Sequence, residues 1–205
     1  MQASIEYGAA VVCGYLAGSI PFGLLITRAA GLGDIRAIGS KSIGATNVLR
    51  TGRKDLALAT LLLDSLKAGL VAFAFTHLFG REIGFVAGAM AFVGHCYPVW
   101  LGFKGGKGVA TYAGLLPFTT LPGFFVAAPV WLIVFAVTRI SSLAALTAAV
   151  LVPTGAWLLG ERNTVVLAGL TLLSLFVFFT HRANLSRLFK GTEPRFGTPK
   201  VKPEA

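Results

Sequence analysis

Three short runs in this chain mix glycine, hydroxyl, amide and cationic residues at spacings that suit anion chemistry. The first is Gly39-Ser40-Lys41-Ser42-Ile43-Gly44-Ala45-Thr46-Asn47-Val48-Leu49-Arg50. Glycines expose backbone N–H groups, Ser40, Thr46 and Asn47 add neutral donors, and Arg50 offers a forked cation. A polar loop capping the next helix would read the same way. The second run is Phe103-Lys104-Gly105-Gly106-Lys107-Gly108, followed by Val109-Ala110-Thr111. Lysines and glycines at the entry to an apolar helix suit a phosphate held at a helix N-terminus. A flexible basic turn beside a membrane would also fit. It is not a Walker A loop, because Leu101 stands where the first glycine belongs and Gly108 stands where Ser or Thr is required. The third run is His181-Arg182-Ala183-Asn184-Leu185-Ser186-Arg187-Leu188-Phe189-Lys190-Gly191-Thr192-Glu193. If it is helical, Asn184 lies one turn from His181 with Arg187 nearby. Glu193 is the one acid of a cationic stretch, placed to orient a base or a lysine. The alternative is a basic amphipathic segment lying among headgroups.

Other polar residues fall inside apolar stretches. Asp64 and Lys67 are three apart, on one face of a helix, and each costs about 2.5–3.5 kcal/mol at the centre of a membrane span. They are expected to pair or to line a polar cavity. Ser19 and Pro21 interrupt the first apolar stretch, where a freed carbonyl facing a cavity is expected. His95 precedes Pro98, a setting that suits a structural donor. Cys13 and Cys96 lie in apolar sequence and read as small packing residues, with no metal spacing around them. There is no Gly-x-Ser-x-Gly elbow, no carboxylate-rich metal cluster and no Asp following His77, His95 or His181 at the spacing of soluble-type glycerolipid acyltransferases.

The elements that must position these residues are membrane helices. Of 205 residues, 55% are hydrophobic and 13% charged, against about 25% charged in an average soluble domain. The mean hydropathy is +0.77. This composition excludes a soluble enzyme, a disordered chain and a disulfide scaffold. Seven apolar segments recur, at residues 7–26, 56–79, 83–101, 109–120, 124–137, 143–159 and 164–180. A spanning helix needs about 20 apolar residues. The fourth segment would cover only about 18 Å and is expected to be a half-span, entering beside Pro117 and Pro122. Five spans is the fallback count. Period-2 alternation is absent, so the spans are helical rather than barrel strands. The expectation is one all-α integral membrane domain over residues 1–205. Glu6 and the lack of a preceding basic run favour a retained first helix over a cleaved signal.

The net charge of +10 distributes unevenly. Of 18 Lys and Arg residues, 15 fall in the segment 28–55, the segment 102–108, at Arg139, or after residue 180, where Lys200 and Lys202 are included. The alternate connections carry only Arg81 and Arg162, beside Glu82 and Glu161. By the positive-inside rule the N-terminus is expected outside and the C-terminus in the cytoplasm, with all three polar runs on the cytoplasmic side. The basic balance thus reads as topology plus an anionic substrate, and no nucleic-acid partner is expected.

Taken together, Gly18-Ser19-Ile20-Pro21-Phe22-Gly23, the loop from Gly39-Ser40 through Gly44-Ala45-Thr46-Asn47 to Arg50, the run Gly94-His95…Pro98…Phe103-Lys104-Gly105-Gly106-Lys107-Gly108, and His181-Arg182…Asn184…Arg187-Leu188…Gly191…Glu193 resemble the motifs of the bacterial acyl-phosphate:glycerol-3-phosphate acyltransferases, the PlsY family. The resemblance runs from the first helix to beyond the last span, and Asp64 and Lys67 match the Asp-x-x-Lys of that family's second helix. One departure is Ser42, where the family usually has Asn; Ser keeps a donor and an acceptor but loses reach.

The resemblance implies transfer of an acyl chain from acyl phosphate to the 1-hydroxyl of glycerol 3-phosphate, giving lysophosphatidic acid and phosphate, the first step of phospholipid synthesis. It implies catalytic roles for Ser40, Arg50, Lys104, His181, Asn184 and Glu193. It implies substrate or phosphate binding for Ser19, Thr46, Asn47, Asp64, Lys67, His95, Gly105, Gly106, Lys107 and Gly108. No cofactor or metal is expected. The chain is expected to be a monomer of the bacterial inner membrane, its site facing the cytoplasm. A transporter or binding protein for an organic phosphate would share the cationic site, but should show internal symmetry between halves, and no repeat is visible.

Overall fold

The computed structural model describes residues 2–197; Lys200 and Lys202 lie outside them. The described residues are helical and loop only, with no strand. The first apolar segment folds as α1 (Gln2–Gly18) and α2 (Phe22–Ala29). The break falls at Ser19-Ile20-Pro21, since proline has no N–H to continue the ladder. A short loop carrying the first polar run includes one turn of helix, α3 (Ala45–Val48). Then follow α4 (Lys54–Phe79), α5 (Arg81–Cys96), α6 (Val109–Thr119), α7 (Leu121–Thr138), α8 (Ser141–Leu158), α9 (Thr164–Thr180) and α10 (Arg182–Phe189).

All seven apolar segments are therefore helical. The α1–α2 pair, α4, α7, α8 and the stretch Arg81–Leu101 are each long and apolar enough to cross a membrane, and α9 joined to α10 qualifies as a span bent by 64°. α6, at 11 residues, is about 16 Å long and falls short of a full crossing. The break after α6 lies at extended Thr120, whose hydroxyl accepts from the Gly123 N–H; Pro122 sits in the first turn of α7, where its missing N–H costs nothing.

Small residues let these helices approach without a hydrophobic drive between them. A Cβ on Gly14 or Gly18 would fall 2.2 or 2.0 Å from the carbonyl oxygens of Ala87 or Ala91, so α1 and α5 touch backbone to backbone. Gly88 packs against Leu115 and Ala72, and Gly114 meets the Ser65 carbonyl. The main core, with Phe85, Phe92, Leu115, Leu116, Val152, Leu170 and Val177, fills the space between α4, α5, α6, α8 and α9.

The two sparsely charged connections meet at one end. Arg81 holds buried Glu161 through its two terminal guanidinium nitrogens, Nη1 and Nη2, at 3.2 and 2.9 Å, and Asn163 donates to Glu82 at 2.7 Å. The starts of α4, α6 and α8 and the end of α9 thereby fall at the opposite end, which is where the polar runs lie.

Candidate active site

The first polar run is shaped by Asn47. Its Oδ1 accepts from the Ser40 N–H at 2.9 Å, and its Nδ2 donates to the carbonyls of Ile35, Ser42 and Ile38 at 2.9, 2.8 and 3.2 Å. Asn47 is buried and both its amide oxygen and its amide nitrogen are engaged in closing the loop, so it organises the loop that carries Ser40 and Arg50. Gly39 has a left-handed φ of +57°, and a Cβ there would lie 2.3 Å from Asn47 Oδ1 and 3.0 Å from Arg50 Cδ. The loop therefore lays Arg50 directly over Gly39. Thr46 and Ser40 are half-buried beside it.

The second run turns on itself beneath α5. The N–H groups of Gly105 and Gly106 donate to the carbonyls of Cys96 and His95 at 3.1 and 3.0 Å. Those two amides are committed to the loop and so are not free to donate to a ligand. Their lack of a side chain serves packing instead: a Cβ on Gly106 would sit 2.0 Å from His95 Nε2, and one on Gly105 2.1 Å from the His95 carbonyl oxygen. Gly108, at φ +79° against Phe92, begins α6, whose first turn has no side-chain cap. Lys104 is exposed and lines an open cavity of about 510 Å³ with Asp34, Arg36, Ala37, Lys41 and Gly105.

Below this loop lies a buried cluster inside the helices. Lys67 Nζ donates to Asp64 Oδ1 at 2.8 Å, to the Ile20 carbonyl at 2.9 Å and to His95 Nδ1 at 2.9 Å. The α1–α2 break supplies that carbonyl. Asp64, Lys67 and His95 are joined by these contacts and are buried, and the Nε2 edge of His95 lies against the backbone of Gly106. Ser19 likewise spends its hydroxyl on the Tyr15 carbonyl, 2.8 Å away in its own helix.

The third run gathers around Glu193. Its Oε1 accepts from Ser142 Oγ at 2.7 Å and Asn184 Nδ2 at 2.6 Å, and its Oε2 from Arg187 Nε at 2.6 Å. Burial works against the charged carboxylate, but these hydrogen bonds outweigh it and hold Glu193 below the usual carboxylate range. Arg50 and Lys107 also feel its charge. Burial lowers Arg50 from its ordinary value, against the pull of Glu193. Burial brings the Lys107 ammonium down to about 8, with Glu193 opposing and Arg187 and Arg50 adding to the shift. The Lys107 carbonyl accepts from Thr180 Oγ1 at 3.3 Å, joining this loop to the end of α9. His181 is buried, its Nδ1 2.8 Å from the Val177 carbonyl. A carbonyl only accepts, so Nδ1 carries the proton and Nε2 the lone pair. Asn184 Oδ1 is buried and accepts no hydrogen bond among the described residues.

The structure thus brings together Arg50, Lys107, His181, Asn184 and Glu193. It adds Arg187 and Ser142, neither of which the sequence marked as a site residue. Arg187 carried a signal, three positions beyond Asn184 on a helix. Ser142, one of two adjacent serines at the start of α8, carried none. Lys104 stands on the adjoining open cavity with Lys41. No group of three or more potential metal ligands occurs among the described residues.

A family model described as glycerol-3-phosphate acyltransferase matches residues 8–191. The chain belongs to that family. Among its acyltransferase relatives, the glycerol-3-phosphate acyltransferase of Hyphomonas neptunium is 78% identical over 195 residues, covering 95% of this chain and 94% of the relative. That of Maricaulis maris is 56% identical, covering 96% and 90%. The crystal structure of PlsY, an integral membrane glycerol 3-phosphate acyltransferase, in its glycerol 3-phosphate form, superposes with a TM-score of 0.88 at 35% identity, covering 97% of this chain and 99% of that one. Its lysophosphatidic acid form gives 0.85 at 34% identity, covering 94% and 96%. The chain is accordingly an all-helical integral membrane protein of the acyltransferase family.

Proposed function

We propose that this protein transfers a fatty acyl group from acyl phosphate to the 1-hydroxyl of glycerol 3-phosphate, releasing lysophosphatidic acid and inorganic phosphate. One observation carries the reading: Arg50, Lys107 and Arg187 converge around the Glu193 and Asn184 pair, at one end of an apolar helical bundle. Both substrates bring phosphate, which needs cations. The donor brings an acyl chain, which needs apolar surface. The glycerol-3-phosphate acyltransferase relatives and the two PlsY forms support the acceptor and the product. The donor is our assignment from the resemblance to the acyl-phosphate-dependent acyltransferases.

Acyl phosphate is a mixed anhydride and is already activated, so no enzyme nucleophile is required. The glycerol oxygen attacks the acyl carbon, the carbon–oxygen bond to phosphate breaks, and phosphate leaves. The hydroxyl proton passes to a substrate phosphate oxygen, with His181 Nε2 as the alternative acceptor. Asn184 Oδ1 accepts from the attacking hydroxyl and orients it, held in place by Glu193. Arg50, Lys107 and Lys104 bind phosphate, and Ser40 and Thr46 contribute hydroxyl donors. These groups face the negative charge that grows on the carbonyl oxygen and leaving phosphate, and such preorganised donors are the main catalytic effect expected.

The protein is further assigned as one monomeric domain in the bacterial inner membrane. Its cation-rich end faces the cytoplasm, in keeping with the positive-inside rule. The test is phosphate release from palmitoyl phosphate by the purified protein. Release should require glycerol 3-phosphate and yield 1-palmitoylglycerol 3-phosphate. Release that ignores glycerol 3-phosphate, or none, overturns the proposal.

A further inference from the structure

We propose that Phe196 is a positioning residue, anchoring the segment 190–197 across the α7–α8 turn so that Glu193 holds α10 and its Asn184 in register. The inference rests on the acyltransfer reading for its functional consequence, though not for its geometry. α10 packs chiefly on α9, from which it bends by 64°. What ties it to the far side of the site is Glu193, which takes Asn184 and Arg187 from α10 and Ser142 from the start of α8. Three residues on, the segment is fastened a second time. The Phe196 N–H donates to the Arg139 carbonyl at 2.8 Å. The Phe196 ring meets the Phe135 ring edge to face, centroids 5.4 Å apart at 74°, and Phe135 in turn stacks on Trp131.

The two fastenings lie on either side of one turn, Phe196 on the end of α7 and Glu193 on the start of α8. Pro194 between them has a fixed φ, which limits slack. At its other end the segment is capped onto α10, where the Gly191 and Thr192 N–H groups donate to the carbonyls of Leu188 and Arg187 at 3.1 and 2.8 Å. The segment is therefore a strap fixed at α10, at α8 and at α7. Phe196 is half-buried and contributes no polar side-chain atom to the site. Its contribution to turnover runs through the place of Glu193. A shift of about 1 Å in a positioned group lowers turnover by about 10²-fold, so loosening the strap should register as a kinetic loss.

The experiment compares Phe196→Ala and Phe196→Leu with the parent protein, purified in detergent. Phe196→Ala should lower kcat/KM for glycerol 3-phosphate about tenfold with the midpoint of global unfolding unchanged, and Phe196→Leu should recover most of that loss. In the Glu193→Gln background Phe196→Ala should cause no further loss, because both act through one contact. Amide hydrogen exchange over residues 182–189 should rise in Phe196→Ala while exchange in α5 stays as in the parent. Unchanged exchange in α10, kinetics within twofold of the parent, or losses that multiply with Glu193→Gln would each overturn the proposal. If Glu193→Gln does not fold, the exchange and rescue measurements decide alone. The exchange readout needs no turnover, so failure of the strap is distinguishable from failure of the acyltransfer assignment.

Discussion

Lys67 Nζ and Asp64 Oδ1 stand 2.8 Å apart on α4, with side chains 3% and 1% exposed. Each is the neutralising partner of the other in a setting where a lone charge has no water. Lys67 reaches two further acceptors, the Ile20 carbonyl and His95. Removing one partner of a buried pair costs about 3–5 kcal/mol, whereas replacing both by apolar groups is often neutral. Lys67→Met alone should therefore destabilise more than Lys67→Met combined with Asp64→Leu, as measured by thermal unfolding in detergent. Equal or greater destabilisation in the double variant would contradict this account.

The same cluster predicts the behaviour of Gly106. A methyl there would meet His95 Nε2 at 2.0 Å. A histidine free to rotate would yield, but this ring is held by Lys67, with Asp64 Oδ1 3.5 Å from its Nδ1. The loop must move instead, carrying Lys107 with it. Gly106→Ala should lower kcat/KM at least tenfold, equivalent to about 1.4 kcal/mol. Gly8→Ala is the control: among the described residues a Cβ there meets no atom outside its own stretch of helix within 4 Å, and activity should be unchanged.

The sequence and the structure agree most closely where physics is local. Helical spans follow from apolar run length, so the seven segments could be read off directly, and the short α6 with them. The cationic ends followed from charge placement. Site residues were harder, because residue type does not say which way a polar group points. Asn47 and Arg50 belong to one run, yet only Arg50 faces Glu193. Lys104 and Lys107 are three apart with like chemistry, yet only Lys107 joins the Glu193 group. Ser142 lies 51 positions from Glu193, and nothing local in either residue announces a contact that exists only after the bundle has packed.

Asn47 offers a test of that distinction. It closes the loop with four hydrogen bonds, one accepted and three donated to carbonyls. Asn47→Asp would aim a carboxylate oxygen at those carbonyls, while Asn47→Ala would merely leave them unpaired, at about 1–3 kcal/mol for each buried group. Asn47→Asp should therefore be the less stable of the two, and both should lose unfolding stability together with activity. A direct phosphate ligand would behave differently, raising KM for the phosphate substrates with stability unchanged.

Lys107 gives the pH dependence its sign. Burial holds its ammonium at about 8 in the folded protein, below the ordinary 10.5. The unfolded chain therefore binds the extra proton between those two values, and stability from this group rises with pH across that window. Below about pH 8 the half-buried charge is a cost to folding, and it is this charged form that can hold a phosphate. Function and stability should thus move in opposite directions: kcat/KM should fall as pH rises through about 8 while the contribution of Lys107 to unfolding free energy grows. Lys107→Arg keeps its charge over the whole range and should remove the alkaline fall in kcat/KM, whatever its effect on the absolute rate. Lys107→Met should unfold at a higher temperature than the parent at pH 7 while losing most of its turnover. An alkaline limb of the same position in the parent and in Lys107→Arg would assign that limb to another group and remove Lys107 from the phosphate site.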